Sequence, residues 1–246
     1  HVSYSPPITP YVLSPHVAPL EIRDGRVQYR HGTVPRRKVA IFGSGYSKIA
    51  LPWEDEAWEV WAINNFWEVA RDSAGRLAAS RWFEQHQLTP DAEGEEAGRE
   101  IQNAWDMKWV NTCPVPLYTT QPWPANPNAI VWPIDYFARK YRDYFAATFA
   151  MQIIQAYDEG FEEIMVCGLE LLFGTKREAT VESSCINYWL GFVEGRGMRV
   201  TIPQWRDEPD RDFLLKHFAR YGHDYWAERR AVERYVRRWN HLPDAV

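Results

Sequence analysis

The sequence predicts an α/β fold, a doubly wound and mostly parallel sheet with an extended arm before it and helices after it. Three observations carry that prediction. A short apolar run, Val39-Ala40-Ile41-Phe42, opens directly into Gly43-Ser44-Gly45-Tyr46-Ser47, as a buried parallel strand opens into a tight turn. Apolar, β-rich runs then alternate with helical patterns along the chain. Several of those runs end on Gly, Asn or His, at the carboxyl ends where open parallel sheets bind ligands.

The 246 residues suffice for one substantial core. They divide into an arm over 1–37, a Rossmann-like nucleotide-binding domain over 38–205 and a helical extension of it over 206–246. In the arm, Pro6, Pro7, Pro10, Pro15, Pro19 and Pro35 predict little regular structure. The exception is a short edge strand at Val27-Gln28-Tyr29 after an Asp24-Gly25 turn. After the Gly turn, residues 58–64 form a second strand ending at Asn64-Asn65, which either faces a ligand on the same rim or only turns the chain. A third strand over 81–85 ends at His86, a capping residue or a catalyst. The acidic stretch 90–99 reads as solvated and is assigned no chemistry.

A fourth strand at 115–119 precedes Trp123-Pro124-Ala125-Asn126-Pro127-Asn128 and Trp132-Pro133, which together predict an aromatic lid or ring-stacking wall. Asp135 is expected to cap a long helix over 136–159 that Gly160 stops. Phe137, Tyr141, Phe145 and Met151 recur there at helical spacing as core positions, with Thr148 set apart. The buried strand 163–169 turns through Gly168 to Glu170. A Gly/Thr/Lys-rich loop over 173–180, a helix over 183–194 and a last strand over 198–202 complete the sheet. Two helices follow, and the second carries Arg229, Arg230, Arg234, Arg237 and Arg238, either a solvated face or a polyanion contact.

Composition narrows the function classes. A net charge of −5 and a pI near 5.8 give no global basic field for nucleic acid. Cys113, Cys167 and Cys185 are odd in number and lack CxxC spacing, which argues against a disulfide framework or zinc site. No apolar stretch of about twenty residues and no leader pattern appears, so no membrane partner is expected and a cytoplasmic protein is. The thirteen Trp suit core filling, ring stacking or interface anchoring alike. The glycine turn matches neither full phosphate fingerprint: a dinucleotide motif needs a third Gly near Lys48, and a P-loop needs Gly-Lys-Ser/Thr.

Four stretches nevertheless occur in order: Ile41-Phe42-Gly43-Ser44-Gly45-Tyr46-Ser47, the strand ending Ala62-Ile63-Asn64-Asn65-Phe66, the helical stretch 148–160, and the strand 163–170 reading EIMVCGLE. Together, over residues 38–203, they resemble the bacterial sialyltransferases of glycosyltransferase family 42, whose chains run Gly-Asn-Gly-Pro-Ser, Cys-Asn-Gln-Phe, a Ser-bearing helix and a strand ending Gly-Ile-Asp. The wider group includes archaeal pterin pyrophosphokinase-like proteins and phage proteins with a tail similar to Tyr188–Gly191 and Glu194–Gly197. The resemblance implies a sialyltransferase-like variant of the Rossmann plan in which Gly43, Ser44, Gly45 and Ser47 approach the donor phosphate. Asn64 and Asn65 would meet the donor's nucleotide or sugar, Thr148 would replace a nucleotide-binding Ser, and Gly168 and Glu170 would close the strand-end rim. His86 would sit near the family's third-strand Asn. Three departures stand out: Tyr46 for Pro, Glu170 for Asp, and no His over 176–185, where the family keeps its general base.

The resulting expectation is a transferase that uses a nucleotide-activated donor, of CMP- or UDP-sugar type and without metal, to modify an acceptor hydroxyl. His86, Glu178 and Glu182 are the candidate catalytic residues. The acceptor is a saccharide or, in the phage-like branch, a hydroxymethylated DNA base held by the aromatic loop, with the Arg229–Arg238 helix on phosphate; the location is then the host cytoplasm. The alternatives are a nucleotide-binding protein without turnover and a Mg²⁺-dependent pyrophosphokinase-like enzyme using Glu170 and the Glu54–Glu56 cluster.

Overall fold

A computed structural model describes residues 11–43, 48, 50–64, 66, 69–86, 108–168 and 176–203, with the side chains of 176–179 outside that set. Its centre is a parallel sheet of seven strands in the order β7-β6-β5-β4-β3-β8-β9. These are β3 (Lys38–Phe42), β4 (Trp58–Ile63), β5 (Arg81–Glu84), β6 (Leu117–Thr119), β7 (Ala129–Val131), β8 (Glu163–Cys167) and β9 (Arg199–Thr201). Every pairing is parallel, so the expected doubly wound α/β architecture is the one the chain adopts.

The strands are apolar on both faces because both faces are covered. Val39, Ile41, Trp61, Ile63, Phe83, Ile164 and Val166 point to one core; Ala40, Phe42, Val60, Ala62, Trp82 and Cys167 point to the other. The first core is roofed by three helices, α1 (Ile134–Lys140), α2 (Thr148–Asp158) and α3 (Lys176–Glu194). The second is covered by loops and a helical turn at 108–112 that buries Trp109 against Trp82.

Four local expectations need correction. The arm is more regular than its prolines suggest: β1 (Leu20–Arg23) and β2 (Arg26–Tyr29) form an antiparallel hairpin around Asp24-Gly25, both with positive φ. Tertiary contacts hold it, since the Tyr29 hydroxyl donates to the Glu59 carboxylate and Arg36 donates to the Trp58 carbonyl at 2.6 Å. The long helix over 136–159 is two helices, α1 and α2. Between them the Tyr144 carbonyl accepts from Trp189 Nε1 at 2.6 Å and the Ala146 N–H donates to Cys185 Sγ at 3.3 Å, so that backbone serves α3 instead of a continuous ladder. Asp135 lies in the first turn of α1, after Pro133 at the cap position. Gly160 does stop α2, at φ +81. Finally, α3 starts at Lys176 within the expected 173–180 loop.

The aromatic wall at 123–132 is not assembled. Ala129–Val131 is the edge strand β7, and its two flanking tryptophans separate. Trp132 is buried in the first core, stacked on Phe137 at 4.7 Å and donating to Gln155 Oε1 at 2.9 Å. Trp123 packs toward the second core and donates to Asn111 Oδ1 at 2.7 Å. The buried Asn126 amide pins the intervening loop to the Val110 and Cys113 carbonyls. Helices expected over 211–221 and 226–239 lie outside the described residues.

Candidate active site

The sheet reverses its winding between β3 and β8. From β3 the chain steps through β4 to β7 on one side, and then returns to place β8 and β9 on the other. The carboxyl ends of β3 and β8 therefore flank the crevice where such sheets bind ligands. Two glycines meet there. The Gly43 N–H donates to the Cys167 carbonyl at 3.0 Å, and a Cβ on Gly168 would stand 2.5 Å from the Gly43 oxygen. A Cβ on Gly43 would stand 2.8 Å from the Phe149 ring and 2.9 Å from the Gly168 oxygen. Gly168 also has φ +66, where a side chain is strained in any surroundings.

Phe149 belongs to the first turn of α2, so its contact with Gly43 brings the helix N-terminus to this crevice. Ala147, the cap residue, is extended at φ −149 and ψ 145, and no side chain caps the helix. The end of an eleven-residue helix thus arrives at the switch point with its leading N–H groups unserved by a capping side chain, and its dipole favours an anion there. Thr148 is half-buried at the first helical position. One turn further, Gln152 is fully buried, and neither its amide nitrogen nor its oxygen has a partner among the described residues. Glu182 sits on α3 one turn before Cys185, which touches the 144–146 segment just ahead of Thr148.

Further along the same rim, Asn64 ends β4 at φ +48. Its N–H donates to the Phe83 carbonyl at 2.9 Å and its carbonyl accepts from Trp82 Nε1 at 2.8 Å, which ties the ends of β4 and β5 together. Its side-chain oxygen is buried without a partner among the described residues. At the end of β5, His86 is 61% exposed, and its Nδ1 lies 2.7 Å from Oε1 of Glu84, a fully buried carboxylate. Glu84 was not singled out from the sequence; it is the last residue of β5, and His86 lies two residues on, just past the strand end.

Of the expected site residues, Gly43, Gly168, Thr148, Asn64 and His86 lie at or beside strand carboxyl ends, and Glu182 lies on α3. Ser44, Gly45, Ser47, Asn65, Glu170 and the Glu178 side chain lie outside the described residues, as do Arg229 to Arg238. The Glu54–Glu56 cluster turns elsewhere. Glu54 accepts from the Ser73 backbone at 3.1 Å and from its hydroxyl, which holds its carboxyl below the ordinary value, and Glu56 lies 3.7 Å from His16. No group of three potential metal ligands is gathered among the described residues, and none of their helices is long and apolar enough to cross a membrane.

A cleft of about 870 Å³ opens near the opposite end of the sheet, between the β1–β2 hairpin and the C-terminal end of α2. Several of its polar groups are tied into a network with neighbours behind them. Arg81, 1% exposed, lies between Glu59 at 3.1 Å and Glu159 at 2.7 Å and over the Trp61 ring at 4.5 Å. Burial alone would raise the Glu59 carboxyl. Arg81, with the Tyr29 hydroxyl and the Trp61 indole donating to it, reverses that and holds it below its ordinary value. Burial first, and then the Glu59 charge, push the Tyr29 hydroxyl well up. Asp158 accepts from Lys140 at 2.5 Å and from Tyr141 at 2.6 Å. This network fastens the hairpin to the sheet.

No protein-family model matches the chain, and no curated protein matches it. Among solved structures, the chain is similar to the sialyltransferase CstII from Campylobacter jejuni in complex with a substrate analogue, cytidine-5'-monophosphate. That likeness has a TM-score of 0.43 at 16% identity and covers 74% of this chain and 83% of that one.

Proposed function

We propose that this chain is a transferase that binds a nucleotide-activated donor, a CMP- or UDP-sugar, on the carboxyl rim and passes the activated group to an acceptor hydroxyl. One observation carries the reading: the uncapped N-terminus of α2 abuts the glycine-to-glycine approach of β3 and β8 at the switch point. That arrangement sets a positive helix end beside the strand end that leads into Ser44-Gly45, where backbone N–H groups would meet a phosphate. Ser44, Gly45 and Ser47, next in sequence after Gly43, would line the phosphate, with Asn64, Asn65, Thr148, Gly168 and Glu170 around the nucleotide and sugar. The acceptor oxygen attacks the carbon bearing the phosphate, the carbon–oxygen bond to phosphate breaks, and the leaving oxyanion is stabilised by those N–H groups. A base takes the acceptor proton; His86, Glu178 and Glu182 are the candidates. The acceptor is a saccharide or a DNA base.

The test is a thermal-shift screen of CMP, UDP, their sugar conjugates and ATP, each with EDTA or with Mg²⁺. At a hundred times its Kd a ligand adds roughly 2.7 kcal/mol to stability. For a chain of this size that raises Tm by about 5–10 °C. A pyrimidine nucleotide that stabilises equally in EDTA is the expected result. A response to ATP and Mg²⁺ alone would refute the reading in favour of a pyrophosphokinase-like enzyme.

A further inference from the structure

We propose that Glu84 and His86 form a carboxylate–imidazole dyad in which Glu84 keeps the ring proton on Nδ1, so that Nε2 of His86 takes the proton of the acceptor hydroxyl. The proposal rests on the transferase reading and assigns its base and a positioning residue, Glu84.

The geometry is specific. Glu84 is the last residue of β5 and His86 lies two residues on, just past the strand end, and their burial is opposite: the carboxylate is fully enclosed while the ring is 61% exposed. Glu84 Oε1 accepts from the His86 backbone N–H at 3.1 Å and lies 2.7 Å from Nδ1. An oxygen already acting as acceptor toward the backbone is placed to accept from Nδ1–H as well, and that tautomer leaves Nε2 as the ring's acceptor. Glu84 Oε2 is buried with no hydrogen-bond partner among the described residues. Among the described residues, the ion-pair partner of Glu84 is His86 alone. The carboxylate faces the ring directly, so it is placed to hold the imidazolium that a base becomes as it takes a proton. A solvated surface histidine would need neither the buried carboxylate nor the enclosed unpaired oxygen.

Position agrees with the role. β5 lies two strands from β3, roughly 10 Å at the usual strand spacing, a span that a sugar ring and an acceptor oxygen can bridge from a phosphate at Gly43. Asn64 lies between the two and is bonded to β5 through the Phe83 carbonyl and the Trp82 indole. The step balances: the acceptor O–H becomes an O–C bond, the carbon–phosphate-oxygen bond breaks with its electron pair on the departing nucleotide, and the proton moves to His86 Nε2 and then to solvent.

Imidazole ¹⁵N NMR on ¹⁵N-histidine-labelled protein, with His86→Ala to assign the signal, reads the tautomer at a pH where the ring is neutral. The expected result is Nδ1–H in the wild type and in Glu84→Gln, whose amide oxygen still accepts, and Nε2–H, the form a solvated ring favours, in Glu84→Met. Turnover of CMP-N-acetylneuraminate and UDP-glucose then tests the role. His86→Ala should lose about a hundredfold or more in kcat, and Glu84→Gln a smaller factor with KM unchanged, while the thermal shift given by CMP or UDP stays the same in both. A wild-type ring protonated on Nε2 in a protein that binds nucleotide would overturn the dyad alone, and that measurement stands even where Glu84→Met does not fold. Full turnover in His86→Ala would overturn the base role. A wild type that binds none of these nucleotides refutes the transferase reading, and the base role with it.

Discussion

Gly168→Ala tests the close approach on which the site is built. The substitution places a Cβ 2.5 Å from the Gly43 oxygen and 2.8 Å from its carbonyl carbon, both backbone atoms that no rotamer change can move. It also forces alanine to φ +66. The left-handed conformation costs about 1–2 kcal/mol, and overpacking against a fixed neighbour adds about 1–3 kcal/mol. The sum, about 2–5 kcal/mol, lowers Tm by roughly 4–20 °C in a chain of this length. Gly160→Ala is the matched control: its φ is +81, but its new Cβ meets nothing within 4 Å, so only the conformational cost of about 1–2 kcal/mol applies. Urea and thermal unfolding of both variants, with nucleotide titration of the survivors, measure the difference. Gly168→Ala should be the less stable by about 1–3 kcal/mol and should bind nucleotide more weakly, because the strand ends must part. Equal destabilisation of the two variants would refute the argument that β3 and β8 meet too closely for a side chain.

Three further outcomes are expected. Arg81→Met leaves Glu59 buried without its cation and should cost about 3–5 kcal/mol at pH 7. The wild-type carboxyl is depressed, so its contribution is present above the unfolded-state pKa and lost as pH falls through the folded value; in the variant, burial raises the carboxyl, so the deficit should shrink toward pH 4 in parallel urea titrations. An equal deficit at both pH values would mean that Arg81 supplies packing only. The three cysteines are buried, and burial pushes the Cys113 thiol up to about 12, so only about one Cys113 in ten thousand is thiolate at pH 8. Thiol titration should find no fast-reacting group in the native protein and three after unfolding. For a DNA acceptor, replacing Arg230, Arg234 and Arg237 by Ala should weaken DNA binding and flatten its salt dependence, with nucleotide binding unchanged. No salt-sensitive DNA binding by the native protein would leave a saccharide as the acceptor.

Most of the sheet was legible because buried parallel strands declare themselves as short apolar runs. Those at 39–42, 58–63, 81–84 and 163–167 stand where composition alone puts them, each ending at the Gly, Asn or His that turns the chain. The glycine pair was legible as two turns. That Gly43 and Gly168 press on each other was not, since they are far apart in sequence and only the β3–β8 pairing joins them. In the arm, β2 and the Asp24-Gly25 turn were legible, but β1 and its pairing were not, for a similar reason. The hairpin's four-residue strands carry little propensity of their own and are held by Tyr29 and Arg36 reaching Glu59 and Trp58.

What the sequence by itself determined is therefore the α/β class, the strand ends and the chemistry available on them: glycines at β3 and β8, an amide at β4 and an imidazole at β5. Local patterns decide these, because period and turn chemistry act over a few residues. Tertiary structure alone decided where continuity breaks and which side chains meet. The run 136–159 looks like one helix until the Trp189 indole and the Cys185 thiol of α3 claim its middle backbone. Trp123 and Trp132 look like one aromatic wall until β7 carries them to opposite faces of the sheet. Glu84 is one residue of a strand in the sequence, and only the fold buries its carboxylate against His86. In each case the deciding contact joins segments distant in the chain, and no local preference encodes a contact that exists only once the chain has closed on itself.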